Sequence, residues 1–335
     1  MSDEFSRIAA LAARIGRPGR GVTLGIGDDA AILAPFAGGI VLSVDTAIEG
    51  VHFRRGWAPL RTLARRAVMA ALSDLAAMGA APRATLVALA LPADIDDDAF
   101  LELVDGTADA AREAGAALVG GNLASAGELS ITTTVVGEAS ARSLTRSGAQ
   151  IGDAIYVTGV LGAAALGLAL LSRGDGDAGD GAAFVARWCE PTARLDEGRA
   201  LVSGGATACI DVSDGLAQDL GHLCTASRVS ADIELAALPM LAHQREVARA
   251  LGLDAATLAL TGGEDYELIF TGPASAALAA IGMRLGSIVA DRGVNEGGDH
   301  AANARPSGGA SEVRILDAHG QRVALAARGF AHFQR

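Results

Sequence analysis

The sequence predicts an α/β or α+β protein of two domains. Segments with the two-residue period of strands alternate with segments that have the roughly 3.6-residue period of helices, which is typical of both fold classes. The chain has 335 residues, and because a domain holds roughly 150 residues, this length predicts two of them. Half of the residues are apolar, which is enough to form a sizeable core in each domain.

The strands are predicted from short runs of aliphatic and β-branched residues bounded by glycine, proline or polar residues. The run 129–136 is the clearest example because threonine and valine are frequent in it. In chain order, the predicted strands are 31–33, 40–44, 85–91, 118–119, 129–136, 154–158, 208–212 and 268–271.

The helices are predicted from apolar periodicity and from the residues at their ends. Helix 60–78 follows Pro59 and precedes Gly79, the residue types favoured at a helix start and just after a helix end. Helix 96–114 begins with acids, which the helix dipole favours. The other predicted helices are 163–171, 182–189, 193–202 and 216–227.

Polar, irregular stretches separate these elements. The stretch 139–152 is the predicted domain boundary, which divides the chain into 1–140 and 141–335. Two further stretches are rich in glycine and polar residues and are predicted to be mobile loops: 172–181 and 291–311.

Charge and composition exclude several functions. The formal net charge of −12 argues against a nucleic-acid groove or an anionic membrane surface as the main partner. All 27 basic residues are arginines, so a P-loop lysine, a Schiff-base lysine and a protein-kinase lysine are excluded.

The cysteines and the start of the chain predict a cytoplasmic protein. Cys189, Cys209 and Cys224 lack CxxC spacing, and an odd number of cysteines suits reduced thiols. The first twenty residues contain acids and arginines without an apolar run, so we expect no signal peptide. Since no apolar run reaches about 18 residues, we also expect no membrane span.

Acidic residues stand inside apolar, glycine-rich sequence at five places. On its predicted helix, Asp74 has Ala70, Ala71, Ala77 and Met78 as its i±3 and i±4 neighbours. An isolated carboxylate on such a face is costly to bury, so a cation, an arginine or a helix cap must compensate it. The five segments are 25–31, 42–46, 72–79, 210–215 and 262–267.

Together, these segments favour a shared site for Mg²⁺ and phosphate, because hard divalent cations take oxygen ligands. Each acid alone also has an ordinary structural explanation. Asp214 could cap the helix that follows it, and Asp28 with Asp29 could form an Asx-turn. Asp45, predicted at the end of a strand, could bind the backbone there.

Glycines, arginines and a histidine near these acids are also open to two interpretations. Gly120 and Gly121 would let backbone amides approach a phosphate, or would form only a tight turn. Arg142 and Arg146 are permanently charged donors for a phosphate, or solvated loop residues. His52 follows the second acidic segment closely enough to share its site, although a lone histidine is more often structural.

A series of ordered motifs along nearly the whole chain resembles the thiamine-monophosphate kinase family. That family is part of the superfamily that includes aminoimidazole ribonucleotide synthetase and selenophosphate synthetase. The motifs are GIGDDAAIL, SVDTAIEGVHF, LSDLAAMGA, LTRSGA with GDAIYVTG, DVSDGL with DLGH, GGEDYELIF, and the terminal Gly329, Phe330, His332 and Phe333.

The resemblance implies a fold, a reaction and an assembly. The fold is a two-domain one like that of aminoimidazole ribonucleotide synthetase, whose N-terminal sheet contributes to a β-barrel shared by two subunits of a homodimer. Domain 1–140 would bind ATP and metal and form the dimer, and domain 141–335 would complete the active site. The implied reaction transfers the ATP γ-phosphate directly to thiamine monophosphate with the help of several Mg²⁺ ions, and gives thiamine diphosphate.

The resemblance also implies which residues form the site. The metal ligands of the family fall on Asp29, Ser43, Asp45, Asp74, Asn122, Asp211 and Asp214. The ATP contacts fall on Gly120, Gly121, Arg146 and Ser213. The substrate contacts fall on His52, Glu264 and Phe330. No catalytic acid or base is singled out, because the attacking group is already a phosphate oxyanion.

Four positions depart from the family pattern, and they bear on metal number and rate more than on fold. Asn122, Ala71, Val44 and Ala331 stand where the family has Asp, Asn, Thr and Asp. Two alternative functions therefore remain open: another ATP-dependent synthetase or dehydratase of the superfamily, and a non-catalytic paralogue that binds nucleotide or thiamine phosphate. Selenophosphate synthetase is disfavoured because no cysteine precedes Cys189.

Overall fold

Two β-sheets, one in each half of the chain, form the framework of the molecule. A four-stranded sheet lies in the N-terminal half and a seven-stranded sheet in the C-terminal half. Two short strands near the N-terminus, β1 (Val22–Leu24) and β2 (Ile32–Leu33), pair separately. The structure is a computed structural model, and it describes residues 4–16, 21–26, 30–140, 142–175, 179–291 and 311–324.

The N-terminal sheet has the strand order β3-β6-β4-β5. Only β4 and β5 are parallel; β6 pairs antiparallel with both of its neighbours. The sheet therefore ends in β3 on one edge and in β5 on the other. Its strands and the helices of this half are β3 (Ile40–Ile48), β4 (Ala81–Leu91), β5 (Ala117–Ser125), β6 (Ser130–Glu138), α1 (Glu4–Ile15), α2 (Leu60–Ala77) and α3 (Asp97–Glu113).

The C-terminal sheet has the order β13-β12-β9-β11-β7-β10-β8. Its strands are β7 (Ala154–Val157), β8 (Ala208–Asp211), β9 (Ser230–Glu234), β10 (Leu268–Gly272), β11 (Met283–Val289), β12 (Val313–Leu316) and β13 (Arg322–Val323). The helices of this half are α4 (Ala163–Arg173), α5 (Ala182–Cys189), α6 (Leu195–Gly204), α7 (Leu216–Ser227), α8 (Gln244–Ala250), α9 (Ala255–Thr261) and α10 (Ala276–Ala279).

Helix α2 joins the two halves because it is buried by both of them. Leu72 and Leu75 are wholly buried in the N-terminal core. Ala76, the residue after Leu75, belongs to a different core, which it shares with residues of the C-terminal half such as Leu201. The backbone of α6 approaches so closely that a Cβ at Gly198 would lie 2.1 Å from the Ala76 carbonyl oxygen. The two halves therefore meet along α2.

The predicted mixed α/β class is confirmed, and the strongly periodic helices lie where the sequence predicts them. The predictions 182–189 and 216–227 coincide with α5 and α7, and helix 60–78 corresponds to α2. Several short elements were not predicted, because five to seven residues show too little periodicity: β9, α8, α9 and β11 are examples. None of the described helices combines the length and the apolar character needed to cross a membrane.

Two predicted strand ends were wrong, and both errors concern candidate site residues. Strand β3 pairs with β6 as far as Ile48, so Asp45 lies within the strand and not at its end. Strand β5 runs from Ala117 to Ser125, so Gly120 and Gly121 do not form a turn. A Cβ at Gly121 would lie 1.9 Å from the Val87 carbonyl oxygen. The lack of a side chain at Gly121 thus permits β5 to approach β4 closely.

The predicted mobile loops also need revision. Helix α4 extends to Arg173 and a 3₁₀ helix spans Gly179–Gly181, so the irregular stretch is shorter than the predicted 172–181. Most of the second predicted loop, residues 292–310, lies outside the described residues.

The approach of α3 to α2 yields a stability prediction. A Cβ at Gly106 would lie 2.0 Å from the Arg61 carbonyl oxygen of α2, so Gly106→Ala should push the helices apart and lower the free energy of unfolding by about 1–3 kcal/mol. Gly221→Ala in α7 is the control, since its nearest neighbour would be Val313 Cγ2 at 4.0 Å, and helix propensity should make it neutral or stabilising. Denaturant unfolding measures both; equal effects would contradict the packing argument.

Candidate functional site

A cavity of about 440 Å³, here named the main cavity because the acidic segments meet in it, opens between the two halves of the molecule. Strand β3 and helix α2 form one wall, and the segment after β8, the turn before β10 and helix α4 form the others. No arginine lines it within the part of the chain that the structure describes. Five carboxylates do line it, those of Asp45, Asp74, Asp211, Asp214 and Glu264. Acids from four of the five acidic segments are thus brought together.

Asp74 projects from α2 and is held by β3. Ser43 Oγ donates a hydrogen bond of 2.5 Å to Asp74 Oδ2. Burial raises the pKa of Asp74, and the nearby charge of Asp45 raises it further, while the Ser43 hydrogen bond acts in the opposite direction. Asp45 itself is exposed on β3 and accepts the Thr46 backbone N–H at 2.7 Å.

Asp211, the last residue of β8, is buried opposite the same helix. Ser73 Oγ of α2 donates to Asp211 Oδ2 at 2.8 Å. Burial raises the pKa of Asp211 to about 7, and the charge of Asp74 contributes to the shift. Two consecutive residues of α2, Ser73 and Asp74, therefore connect the helix to both sides of the cavity.

Asp219 of α7 holds the segment after β8 in place through hydrogen bonds to its backbone. Its Oδ2 accepts the backbone N–H groups of Ser213, Asp214 and Gly215, each at 3.0 Å. Asp219 is 3% exposed, so these bonds are shielded from water. The alternative in which Asp214 caps α7 was wrong: the helix begins after Gly215 without a side-chain cap, and the Asp214 carboxylate accepts from Gln218 Nε2 at 2.9 Å.

The turn before β10 brings Glu264 to the cavity. A buried arginine of α2, Arg66, lies 2.7 Å from Glu264 Oε1. Trp188 Nε1–H donates to Glu264 Oε2 at 2.5 Å, and the Arg66 guanidinium stacks over the Trp188 ring at 4.3 Å from its centroid. Trp57, which lines the cavity, packs its ring edge-to-face on Trp188 at 5.4 Å. An aromatic wall therefore adjoins the carboxylates.

His52 lines the cavity and also stabilises its own segment. Its Nδ1 accepts the Ile48 backbone N–H at 3.0 Å. In this arrangement Nδ1 carries no proton, so the neutral ring bears its hydrogen on Nε2. His52 therefore lies in the same cavity as Asp45 and also has a structural role in its own segment.

The other described residues that the sequence analysis singled out as Mg²⁺ or phosphate contacts, apart from Ser43, do not line this cavity and do not bond to its carboxylates. Gly120, Gly121 and Asn122 line a second cavity of about 560 Å³ against α1 and α3. Arg142 donates to the Ala206 carbonyl oxygen at 2.6 Å, which is a structural role. Arg146 is exposed and acts on the carboxylates only by lowering the pKa values of Asp74 and Asp211. Asp28, Asp29 and Phe330 lie outside the described residues.

The chemistry of the main cavity suits a hard divalent cation. Burial raises the pKa values of Asp74 and Asp211, which means that basic side chains do not balance their charges. Oxygen donors of this type are the ligands that Mg²⁺ prefers. Within the described ranges, however, no three His, Cys, Asp or Glu side chains are gathered tightly enough to form a metal site by themselves.

Several residues of the site were missed at the level of sequence. Arg66, Ala70 and Asp74 are spaced four residues apart, so one face of α2 carries all three, and this spacing could have revealed Arg66. Asp219 is the fourth residue after Gly215 in the quoted DLGH motif, and it was interpreted only as part of the motif. Tyr266 stands in the acidic segment 262–267 but was interpreted only as part of it, and nothing local distinguishes Trp57.

Comparison with known protein families finds two matching models. The model of the AIR synthase related protein N-terminal domain matches residues 27–139. The model of the AIR synthase related protein C-terminal domain matches residues 150–283. The two models together account for more than half of the chain.

Individual relatives are also similar over most of their length. Thiamine-monophosphate kinase of Escherichia coli K12 is 42% identical over 277 residues, which are 81% of this chain and 82% of the relative. The crystal structure of thiamine-monophosphate kinase from Stenotrophomonas maltophilia K279a has 36% identity and a TM-score of 0.75 over 85% of this chain and 92% of that one. AaThiL, solved in complex with AMPPCP and TMP, has 28% identity and a TM-score of 0.77 over 98% of this chain and 97% of that one.

The hydrogen bonds of Asp219 yield a prediction about the site's framework. Asp219→Ala leaves three buried or part-buried backbone N–H groups without an acceptor, so we expect it to lower the free energy of unfolding by about 3 kcal/mol. Asp219→Asn keeps one acceptor oxygen, so the loss should be about half as large. Chemical denaturation compares the two variants with the parent protein, and losses of equal size would contradict the assigned role.

Proposed function

The chain belongs to the thiamine-monophosphate kinase family of AIR synthase related proteins, and we propose that it transfers the γ-phosphate of ATP to thiamine monophosphate. The observation that carries this proposal is the cavity between the two halves, where four aspartates adjoin a wall formed by Trp57 and Glu264. The aspartates suit metal-bound phosphates, and the tryptophan face suits an aromatic acceptor. The similar protein AaThiL binds AMPPCP and TMP together.

The reaction needs positioning more than acid–base chemistry. An oxygen of the acceptor phosphate forms a bond to the γ-phosphorus, and the bond from that phosphorus to the bridging oxygen of the β-phosphate breaks, so ADP leaves. Both phosphate groups are anionic and repel each other, so alignment and charge neutralisation supply most of the acceleration. Because the attacking oxygen is already an anion, no side chain has to remove a proton.

We assign the metal-holding role to the carboxylates of the main cavity. Asp45, Asp74, Asp211 and Asp214 are the proposed Mg²⁺ ligands, and Ser43, Asn122 and Asp29 complete the predicted set. Bound Mg²⁺ would neutralise phosphate charge and hold the two groups in line. The chain's own contribution is to orient the carboxylates: Ser43 holds Asp74, and Ser73 holds Asp211.

The ligand contacts are part of the same proposal. For ATP they are Gly120, Gly121, Arg146 and Ser213, and for the substrate they are His52, Glu264 and Phe330. Ser213, His52 and Glu264 line the main cavity, which supports their assignment. The division into domains 1–140 and 141–335 remains a prediction. The cytoplasmic location is likewise proposed, with support from three cysteines that are buried and unpaired.

A homodimer is the last part of the proposal, and β3 supports it. Ile40, Leu42 and Val44 of this edge strand are 59%, 65% and 61% exposed, which is unusual for a row of aliphatic side chains. The opposite edge, β5, carries Asn122. A two-fold assembly that joins these edges would cover the apolar row and bring Asn122 of the partner subunit towards Asp45.

The dimer prediction is tested by sedimentation at micromolar concentration. The protein should sediment with about twice the 33.6 kDa mass of one chain, and Leu42→Arg should give a folded monomer because it places a charge in the apolar row. Ile151→Arg is the matched control, since Ile151 is 66% exposed on the other half of the chain. A monomeric parent protein would refute the dimer.

The kinase proposal is tested by incubating the protein with ATP, Mg²⁺ and thiamine monophosphate. Thiamine diphosphate and ADP should appear in equal amounts; AMP in place of ADP would indicate another kind of transfer, and no product would indicate a binding paralogue. Asp74→Asn should lower turnover at least about 100-fold, the scale of losing a charge used in the transition state. Asp196→Asn, at a side chain that is 87% exposed, should leave turnover unchanged.

A further inference from the structure

The hydroxyl of Tyr266 is a polar group on the cavity wall that has no assigned role. Tyr266 lines the main cavity and is 8% exposed. Its hydroxyl makes no hydrogen bond to any described residue, whereas its neighbours on the wall are engaged: Asp74 by Ser43, and Asp211 by Ser73. The hydroxyl oxygen is accessible from the cavity, where a hydrogen bond to a ligand can replace one to water. A ligand in the cavity would supply that hydrogen bond.

The backbone around Tyr266 is strained. Its φ is 49° and that of Glu264 is 69°, in the left-handed region that non-glycine residues rarely adopt. Such strain costs of order 1–3 kcal/mol per residue and persists where the surrounding structure enforces it, commonly at functional sites.

Hydrogen bonds from three directions enforce this conformation. The Glu264 N–H donates to the Ser213 carbonyl oxygen at 2.8 Å, and the Tyr266 N–H donates to that of Val212 at 2.9 Å. Between them, the Asp265 carboxylate accepts the backbone N–H of Gly162 at 2.6 Å. The turn is thereby fixed to the segment that follows β8 and to the residue that precedes α4, so the Tyr266 ring has a defined direction.

The surroundings of Tyr266 indicate which ligand atom it meets. Burial raises the pKa of Tyr266, and the Arg66 guanidinium acts in the opposite direction. The carboxylates of Glu264, Asp45 and Asp211 raise the pKa further, so the phenol keeps its proton and acts as a donor. The strongest acceptor that the proposed substrates bring into the cavity is a phosphate oxygen. The acceptor substrate is the nearer source of that oxygen, because Glu264 of the same turn is a proposed substrate contact.

We propose that the Tyr266 hydroxyl donates a hydrogen bond to an oxygen of the acceptor phosphate of thiamine monophosphate. This inference rests on the proposed function, which it extends by one binding residue. Tyr266 orients the attacking phosphate, and the strained turn holds the hydroxyl in place before the substrate arrives. Thiamine itself, which lacks the phosphate, does not engage this hydroxyl.

Binding measured without ATP tests the proposal. In titration calorimetry with Mg²⁺ present, Tyr266→Phe should weaken the binding of thiamine monophosphate about 10- to 100-fold, the effect of losing a hydrogen bond to a charged group. The binding of thiamine should stay the same. Tyr156→Phe is the matched control: it is the other of the two tyrosines, is 2% exposed and stacks on Phe270 away from the cavity, so neither affinity should change.

A second measurement uses the unaltered backbone and remains informative even if Tyr266→Phe folds poorly. Because the chain has two tyrosines, 3-fluorotyrosine labelling gives two ¹⁹F resonances, and the Tyr156→Phe protein assigns them. Thiamine monophosphate should shift the Tyr266 resonance well beyond the shift that thiamine causes.

The outcomes separate this inference from the proposed function. Equal weakening of both ligands in Tyr266→Phe, unchanged binding of both, or equal ¹⁹F shifts would overturn the inference while the parent protein still phosphorylates thiamine monophosphate. A parent protein that forms no thiamine diphosphate would overturn the proposed function first.

Discussion

One apolar helix, α2, has to be buried on nearly every side, and both halves of the molecule are arranged around it. Leu72 and Leu75 are packed into the N-terminal core, while Ala76 and Ala77 belong to a core with C-terminal residues. Buried apolar surface contributes about 25 cal/mol per Å², so neither half could expose this helix without a large loss of stabilisation. The cavity exists because the two halves meet along α2.

The same burial explains the electrostatics of the site. Arg66, Ser73 and Asp74 are polar residues of α2 that point to the seam between the halves. The positive charge of Arg66 is neutralised by its ion pair with Glu264. No arginine lines the cavity in the described structure. Arg146 lowers the pKa values of Asp74 and Asp211, but burial outweighs it and makes their ionised forms unfavourable. A cation that binds there relieves this unfavourable charge.

Much of the fold followed from local patterns, and the rest depends on pairing between distant segments. Helices α5 and α7 were predicted to the residue because their apolar faces and end residues are local features. The true lengths of β3 and β5 depend on β6 and β4, which lie far away in sequence. For the site, the acidic segments identified Asp74, Asp211 and Asp214, whereas the distance of Asn122 from them follows from strand order. Tyr266 stands in a quoted motif, but the left-handed conformation of its turn depends on hydrogen bonds to distant residues.

The hydrogen bonds Ser43–Asp74 and Ser73–Asp211 affect how the two halves of the molecule could move relative to each other. Ser43 of β3 holds Asp74, and Ser73, the residue next to Asp74, holds Asp211 at the end of β8. A hinge rotation that opened the halves would break the Ser73–Asp211 bond and expose the apolar side of α2 to water. Separation of the halves therefore carries a cost in hydrogen bonding and in apolar exposure, and both costs fall on the same helix.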